Sequence, residues 1–181
     1  MSELVILVDE QDNEKGVMPK LEAHEQGVLH RAFSVFIFNS AGEMLLQQRA
    51  AIKYHSSGLW SNACCSHPRP GEAVHDAAVR RLKEEMGITC AVSEVFSFVY
   101  HAKLDRGLIE HEYDHVLMGV CDDTPRPDPK EVAGWQYLSK EDLESKMKLN
   151  PERYTEWFKL CIEHHSGQLY NNQKQKEATA L

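Results

Sequence analysis

From Glu72 to Met86 the apolar residues Val74, Ala78, Leu82 and Met86 recur at every fourth position, and Gly87 follows as a natural stop. This spacing predicts one helix over residues 72–86. The segments around it have a different period. "LVILVD" reads as a first strand, and "RAFSVFIFNSAGEMLLQQR" as a hairpin from Arg31 to about Arg49 turning at "NSAG". "EVFSFVYHA" and "IEHEYDHVLMGVC" read as strands around "KLDRG", and "WQYLS" as a further strand. A single helix set among strands, with helices gathered at the end, predicts the α/β (α+β) class: a mixed-sheet sandwich flanked by helices rather than a doubly wound sheet.

The connecting segments are assigned by turn chemistry. "AAIKYHSSGLWSNA" reads as a loop, and "DDTPRPDPKEVAG" as a linker rich in Pro and Asp. Ser139 caps a helix beginning at "KEDLESKM". In "NPERYTEWFKLCIEHHSG" Asn150 is the expected cap and Pro151 the first helical residue, with Tyr154, Trp157, Phe158 and Cys161 on one face. Residues 168–181 are expected to fray.

At 181 residues the chain is expected to form one domain, with a core over about 30–165 and an N-terminal segment, 1–29. A net charge of −8 argues against nucleic acid as partner, although a local basic cluster can still hold a small anion. The five cysteines are odd in number and lack CxxC spacing, so reduced thiols in a cytoplasmic setting are expected. "MSELVILVDEQDNEKG" is acidic with a short apolar run, which suits neither a signal peptide nor a membrane span.

The stretch "NACCSHPRPGE" gathers two cysteines, a histidine and a Pro-Gly-Glu turn just ahead of the helix. Neither a packed strand nor an ordinary surface loop has that composition. Cys65 and His67 are two apart, as are Glu110 and Glu112, and in extended chain such pairs point the same way. His24 and His30, six apart across Gly27, are expected on a loop leading into the hairpin. Imidazoles with carboxylates suit zinc, manganese or iron(II) rather than calcium. The ordinary alternatives are stray surface histidines and the solvated face of a sheet.

On the helix, Arg80–Glu84 and Arg81–Glu85 are spaced as ion pairs, in the less favourable order. Glu85 lies in the last turn, where the helix dipole disfavours an anion, so a cation is expected beside it, either a magnesium ion or the arginines. Lys20, Arg49 and Lys53 flank the loops leading to the cysteine stretch. Their fork and point charges match phosphate oxygens.

The spacing Ser66, Glu72, Arg80, Leu82, Glu84, Glu85, Gly87, Ile88 resembles the Nudix box. Two positions depart from it: Ser66 stands for its first glycine, and Arg81 for the glutamate after the arginine. The departures, with "AHEQGVLHRAFSVFIFN", "LWSNACCSHPRPGE", "RRLKEEMG" and "YHAKLDRGLIEHEYDHV", are similar to the type I isopentenyl-diphosphate isomerases, over most of residues 20–118. The resemblance implies a Nudix-like fold and interconversion of isopentenyl and dimethylallyl diphosphate. It carries catalysis onto Cys65 and Glu112 with Tyr100, and a manganese or zinc site onto His24, His30, His67, Glu110 and Glu112. Glu85 and the Cys65 carbonyl would hold a magnesium that arrives with the diphosphate. Lys20, Arg49, Lys53 and Arg81 would grip that diphosphate, and Trp157 would face the carbocation, with Trp60 as second candidate. The expected partner is the small-molecule substrate alone, with no nucleic acid and no membrane, the chain being a monomer or weak homodimer.

The alternatives are a Nudix hydrolase and a silent Nudix-like binding module. Against the hydrolase stand Arg81 and a cysteine with three histidines that metal-activated water does not need. Against the binding module stands the intact set Cys65, Glu112 and Tyr100. Proton transfer at carbon would need two groups on opposite faces of the substrate. A Cys65 thiolate would require cationic neighbours to lower its pKa from about 8.5.

Overall fold

A computed structural model describes the backbone of residues 3–179 and side chains through Gln173; residues 1–2 of the expected N-terminal segment and 180–181 of the expected tail lie outside the described residues. The strands are β1 (Leu4–Val8), β2 (Glu14–Pro19), β3 (His30–Phe38), β4 (Met44–Arg49), β5 (Trp60–Asn62), β6 (Cys64–Ser66), β7 (Ser93–Lys103), β8 (Ile109–Val120) and β9 (Val132–Leu138). The helices are α1 (Lys20–Gln26), α2 (Val74–Met86), α3 (Lys140–Leu149) and α4 (Glu156–Thr179).

β3 is the organising strand. It runs parallel to β8 over its whole length, from His30 against Glu112 to Phe38 against Val120. Its other edge meets β1 at His30, β6 at Phe33–Val35, and β4 only at Phe38. The Arg31–Arg49 hairpin is thus present at its turn, but its strands separate, and β4 pairs instead with β5 and β9. Side chains alternate across the sheet. Phe36, Phe38, Val116 and Met118 pack beneath α3 and α4 with Leu143, Phe158 and Leu169. Phe33, Val35, Ile37 and Leu117 pack against Ala77, Ala78, Leu82 and Met86 of α2. The mixed-sheet sandwich expected from the period change is the architecture observed.

Local departures from the sequence reading have physical causes. His24 lies not on a loop but on α1, which ends at Gly27 in the left-handed conformation (φ 63°). A Cβ there would also come within 3.1 Å of Ile109. His30 opens β3. Trp60–Ser66 is not loop throughout: β5 and β6 find partners in β4 and β3, and backbone pairing overrides the polar, small composition. α2 begins at Val74, because Glu72 is engaged in the preceding turn, where its carboxylate accepts from the Arg69 N–H at 2.9 Å.

Asn150 makes no side-chain cap, and Pro151–Arg153 form a single 3-10 turn. The chain then extends at Tyr154, because Tyr154 bridges to Trp60 and the Thr155 N–H donates to the Trp60 carbonyl at 3.0 Å. α4 starts only at Glu156 and continues to Thr179. Residues 168–173, expected to fray, include the buried Leu169, Tyr170 and Gln173. Leu169 and Tyr170 complete the core under α4. Among the described residues no helix is long and apolar enough to cross a membrane.

Candidate active site

Four elements converge on one buried point. α1 supplies His24, β3 supplies His30, the residue after β6 supplies His67, and β8 supplies Glu112 directly opposite His30 in the parallel register. Glu112 Oε1 lies 3.0 Å from His67 Nε2, 3.5 Å from His30 Nε2 and 3.8 Å from His24 Nε2. Potential ligand atoms of these four residues all fall within 4.8 Å of one another. His24 Nε2 and His30 Nε2 are buried without a hydrogen-bond partner, a costly state that a cation in the group would relieve.

The outer partners set the tautomers. His30 Nδ1 lies 2.7 Å from the Val28 carbonyl and must donate to it, which leaves Nε2 with its lone pair. His24 Nδ1 meets the Tyr54 hydroxyl at 2.8 Å. Such contacts orient metal-binding imidazoles. The donor set, three imidazoles and a carboxylate, fits a divalent transition ion.

The Tyr100 hydroxyl donates to Glu112 Oε2 at 2.6 Å and also reaches Glu110 Oε2 at 3.1 Å. Glu110 and Glu112 are both buried on the same face of β8, as their spacing predicted. Burial alone would raise the Glu112 carboxyl, but the polar surroundings of His24, His30 and His67, the last within hydrogen-bond reach at 3.0 Å, hold it well below its ordinary 4.5. Burial and the adjacent Glu112 charge push Glu110 well above that value. The two carboxyls are thus shifted in opposite directions although they are only two residues apart. Burial brings His67 down to about 4.

Beside this group lies a cavity of about 400 Å³ lined by Cys65, His67, Glu85, Tyr100, Glu110, Glu112 and Trp157 at its depth and by Lys20, Arg49, Lys53 and Arg81 among its charged walls. Cys65 and Glu112, 47 positions apart by number (112 − 65), thus face one space. The Cys65 Sγ contacts Asn62 Oδ1 at 2.9 Å and accepts the Trp157 indole N–H at 3.1 Å. Burial, then the charge of Asp114, pushes its pKa up to about 12. The cationic contacts a resting thiolate would need are replaced by neutral donors and acceptors, so Cys65 rests as a thiol. Cys64 points the other way, into the core beneath α2.

The four expected diphosphate cations are all engaged. Lys20 Nζ lies 3.1 Å from Glu3, and Lys53 pairs with Glu131. Arg81 contacts Glu84 and Glu85, both at 2.7 Å, and Glu131 at 3.3 Å. The Arg49 guanidinium lies 5.2 Å over the Trp157 ring. Arg49 Nε and Arg81 Nε remain buried and unpartnered. Glu85 is buried between Arg81 and Gln47, whose Nε2 donates to it at 2.9 Å and to the Ala63 carbonyl at 3.0 Å. The arginine therefore supplies the compensating charge foreseen at the helix end. Arg80 forks onto Glu72 at 2.7 and 2.8 Å and also keeps the expected pair with Glu84 at 3.3 Å.

Several pocket residues escaped the sequence reading. Tyr54, His55 and Glu131 lie in segments read as a loop and a linker, and Ser34 in a strand read as core. Only Ser34 had a usable signal: it follows His30 at strand period on the same face of β3. Trp60 packs at the edge of the core beneath α4 and does not line the cavity.

Residues 28–158 match the NUDIX domain family. A Pectobacterium atrosepticum "Isopentenyl-diphosphate Delta-isomerase" is 55% identical over 158 residues, covering 87% of this chain and 88% of that protein. One from Burkholderia multivorans is 51% identical over 163 residues, covering 90% and 93%. Among solved structures a Deinococcus radiodurans protein superposes with a TM-score of 0.73 over 90% of this chain and 99% of its own, at 18% identity. A MutT protein from Methanosarcina mazei superposes at 0.62 over 81% and 95%, also at 18% identity. These two likenesses show the fold alone.

Proposed function

The chain belongs to the isopentenyl-diphosphate Delta-isomerases of the NUDIX domain family, and from that premise we propose that it interconverts isopentenyl and dimethylallyl diphosphate through a tertiary carbocation. The observation that carries the reading is the shared cavity, in which a thiol and a Tyr100-linked carboxylate border one space with cations along its wall. A proton added to the terminal methylene leaves the positive charge on the branched carbon. Loss of a proton from the neighbouring methylene then re-forms the double bond, so no atom is gained or lost overall. Cys65 and the Glu112–Tyr100 pair are the groups at which these protons are held, and their roles exchange on the reverse passage.

His24, His30, His67, Glu110 and Glu112 would hold a manganese or zinc ion. Glu110 sits beside the four-residue group on the Tyr100 hydroxyl. Glu85 and the Cys65 carbonyl would hold magnesium with the substrate. When bound, these ions supply positive charge that fixes the carboxylates and neutralises the diphosphate. Lys20, Arg49, Lys53 and Arg81 anchor the diphosphate, so binding energy becomes orientation of the hydrocarbon end. For this the acids now on Lys53 and Arg81 must give way, Glu131 first among them. The buried indole of Trp157 excludes water that would capture the cation and stabilises its charge by roughly 2 kcal/mol or more when desolvated. A reducing, cytoplasmic setting suits the free thiols.

Incubation with isopentenyl diphosphate in deuterated water tests the reading. Dimethylallyl diphosphate carrying deuterium is the expected product, and inorganic phosphate without isomerised product would establish a hydrolase instead.

A further inference from the structure

Asn62 is fully buried, and its surroundings determine which way its amide faces. Nδ2 donates to the Val35 carbonyl at 3.1 Å and to the Cys64 carbonyl at 2.9 Å. Both amide hydrogens are thereby committed, and a flipped amide would set Oδ1 against two carbonyl oxygens. Oδ1 must face the opposite side, where Cys65 Sγ lies at 2.9 Å and Ser61 Oγ at 3.0 Å. A carbonyl oxygen only accepts, so the hydrogen on the first of these contacts is the thiol's own. Ser61 accepts from Thr155 Oγ1 at 3.1 Å and gives its single hydrogen to Oδ1 at 3.0 Å in preference to the more distant Cys65 Sγ at 3.9 Å. The direction of the whole chain is therefore determined, from Thr155 through Ser61 to Asn62, with Cys65 as second donor.

A consequence follows at the sulfur. With its hydrogen directed at Asn62, its lone pairs are left for donors, and the Trp157 indole N–H takes one at 3.1 Å. Ser34 Oγ stands at 3.6 Å. The thiol and the indole are thus oriented by one buried amide that itself lies outside the cavity lining.

We propose that Asn62 is a positioning residue for the isomerisation: its Oδ1 fixes the direction of the Cys65 thiol hydrogen and, through the sulfur, the plane of the Trp157 indole. The proposal rests on the assignment of Cys65 and Trp157 to the reaction. A free thiol would choose among three staggered rotamers. The bond fixes where the sulfur stands between turnovers, its hydrogen turning from Oδ1 only when it is passed on, and misplacement of the sulfur by about 1 Å costs on the order of a hundredfold in rate.

The test is the infrared S–H stretch of Cys65, isolated as the difference between each protein and its Cys65→Ala counterpart, together with kcat and KM for isopentenyl diphosphate. In the unsubstituted protein the band is expected at the lower frequency of a hydrogen-bonded thiol. In Asn62→Ala it should move to the free-thiol position, with kcat down by about tenfold to a hundredfold and KM unchanged. Asn62→Ala also strips the Val35 and Cys64 carbonyls of their donor, so Ser61→Ala serves as a second variant. It keeps both of those bonds and removes the competing donor from Oδ1, and the band should then move to still lower frequency. A free-thiol band in the unsubstituted protein, no movement in either variant, or a raised KM with kcat intact would each overturn the proposal. Bands that move as expected in a protein that does not isomerise the substrate would uphold the bond and overturn the catalytic reading.

Discussion

The Arg49 guanidinium lies 5.2 Å over the ring of Trp157, a residue more than a hundred positions later in the chain. One face of the indole proposed to attend the carbocation therefore already carries a cation, while its N–H is held by Cys65. The substrate cation must use the opposite face, or Arg49 must leave when the diphosphate arrives and offers its unpartnered Nε an acceptor.

Trp157→Phe keeps an aromatic face but loses the N–H bond to Cys65, and should lower kcat about tenfold, the worth of roughly 1.4 kcal/mol. Trp157→Ala should lower it further and destabilise the fold by about 3–5 kcal/mol, since the side chain is almost fully buried. Steady-state kinetics with urea unfolding separates the two effects. Equal kinetic losses in both variants would remove the ring face from the mechanism.

Cys65→Ala and Glu112→Gln should each abolish turnover with the circular dichroism spectrum unchanged, because each removes a cavity group proposed to hold a proton while leaving the surrounding strands paired. Near-normal rates in either variant would exclude that residue from the chemistry.

Treatment with a transition-metal chelator should inactivate the enzyme and lower its melting temperature. Without a cation the buried His24 and His30 Nε2 atoms have no partner. Reloading with zinc or manganese at about a hundredfold over Kd should restore about 2.7 kcal/mol. Magnesium alone, which prefers oxygen donors, should restore neither activity nor melting temperature.

The Glu72 carboxyl, held below its ordinary 4.5 by the Arg80 fork, links stability to acid pH. Its folded pKa is depressed, so its contribution is present above pH 4.5 and disappears as pH falls through the lower folded value. Glu72→Gln should cost about 1 kcal/mol at neutral pH after solvent screening. The difference from the parent protein should vanish below that window in urea titrations at successive pH values. A gap that persists at low pH would mean that packing rather than charge is lost.

Short-range patterns were legible because they are local physics. The α2 face, the Gly87 stop, the Ser139 cap and the strands flanking the "KLDRG" turn all follow from period and turn chemistry. Glu110 and Glu112 share a face for the same reason. His24 was harder: a seven-residue helix of under two turns, ending at a left-handed glycine, carries too weak a pattern to distinguish from loop.

What the linear order of residues settled here was the class of the fold, the chemical types at the site and the strand and helix faces that present them. Neighbours a few positions apart interact whatever the rest of the chain does. The meeting of His30 with Glu112, the closure of Glu131 onto Lys53 and Arg81, and the seat of Trp157 on the Cys65 sulfur were decided by long-range pairing of β3 with β8 and of β4 with β9, and by the break that Trp60 imposes ahead of α4. So was the upward pKa shift of Cys65. Its pKa depends on which groups surround the sulfur and on how far water is excluded, and both are properties of the packed chain.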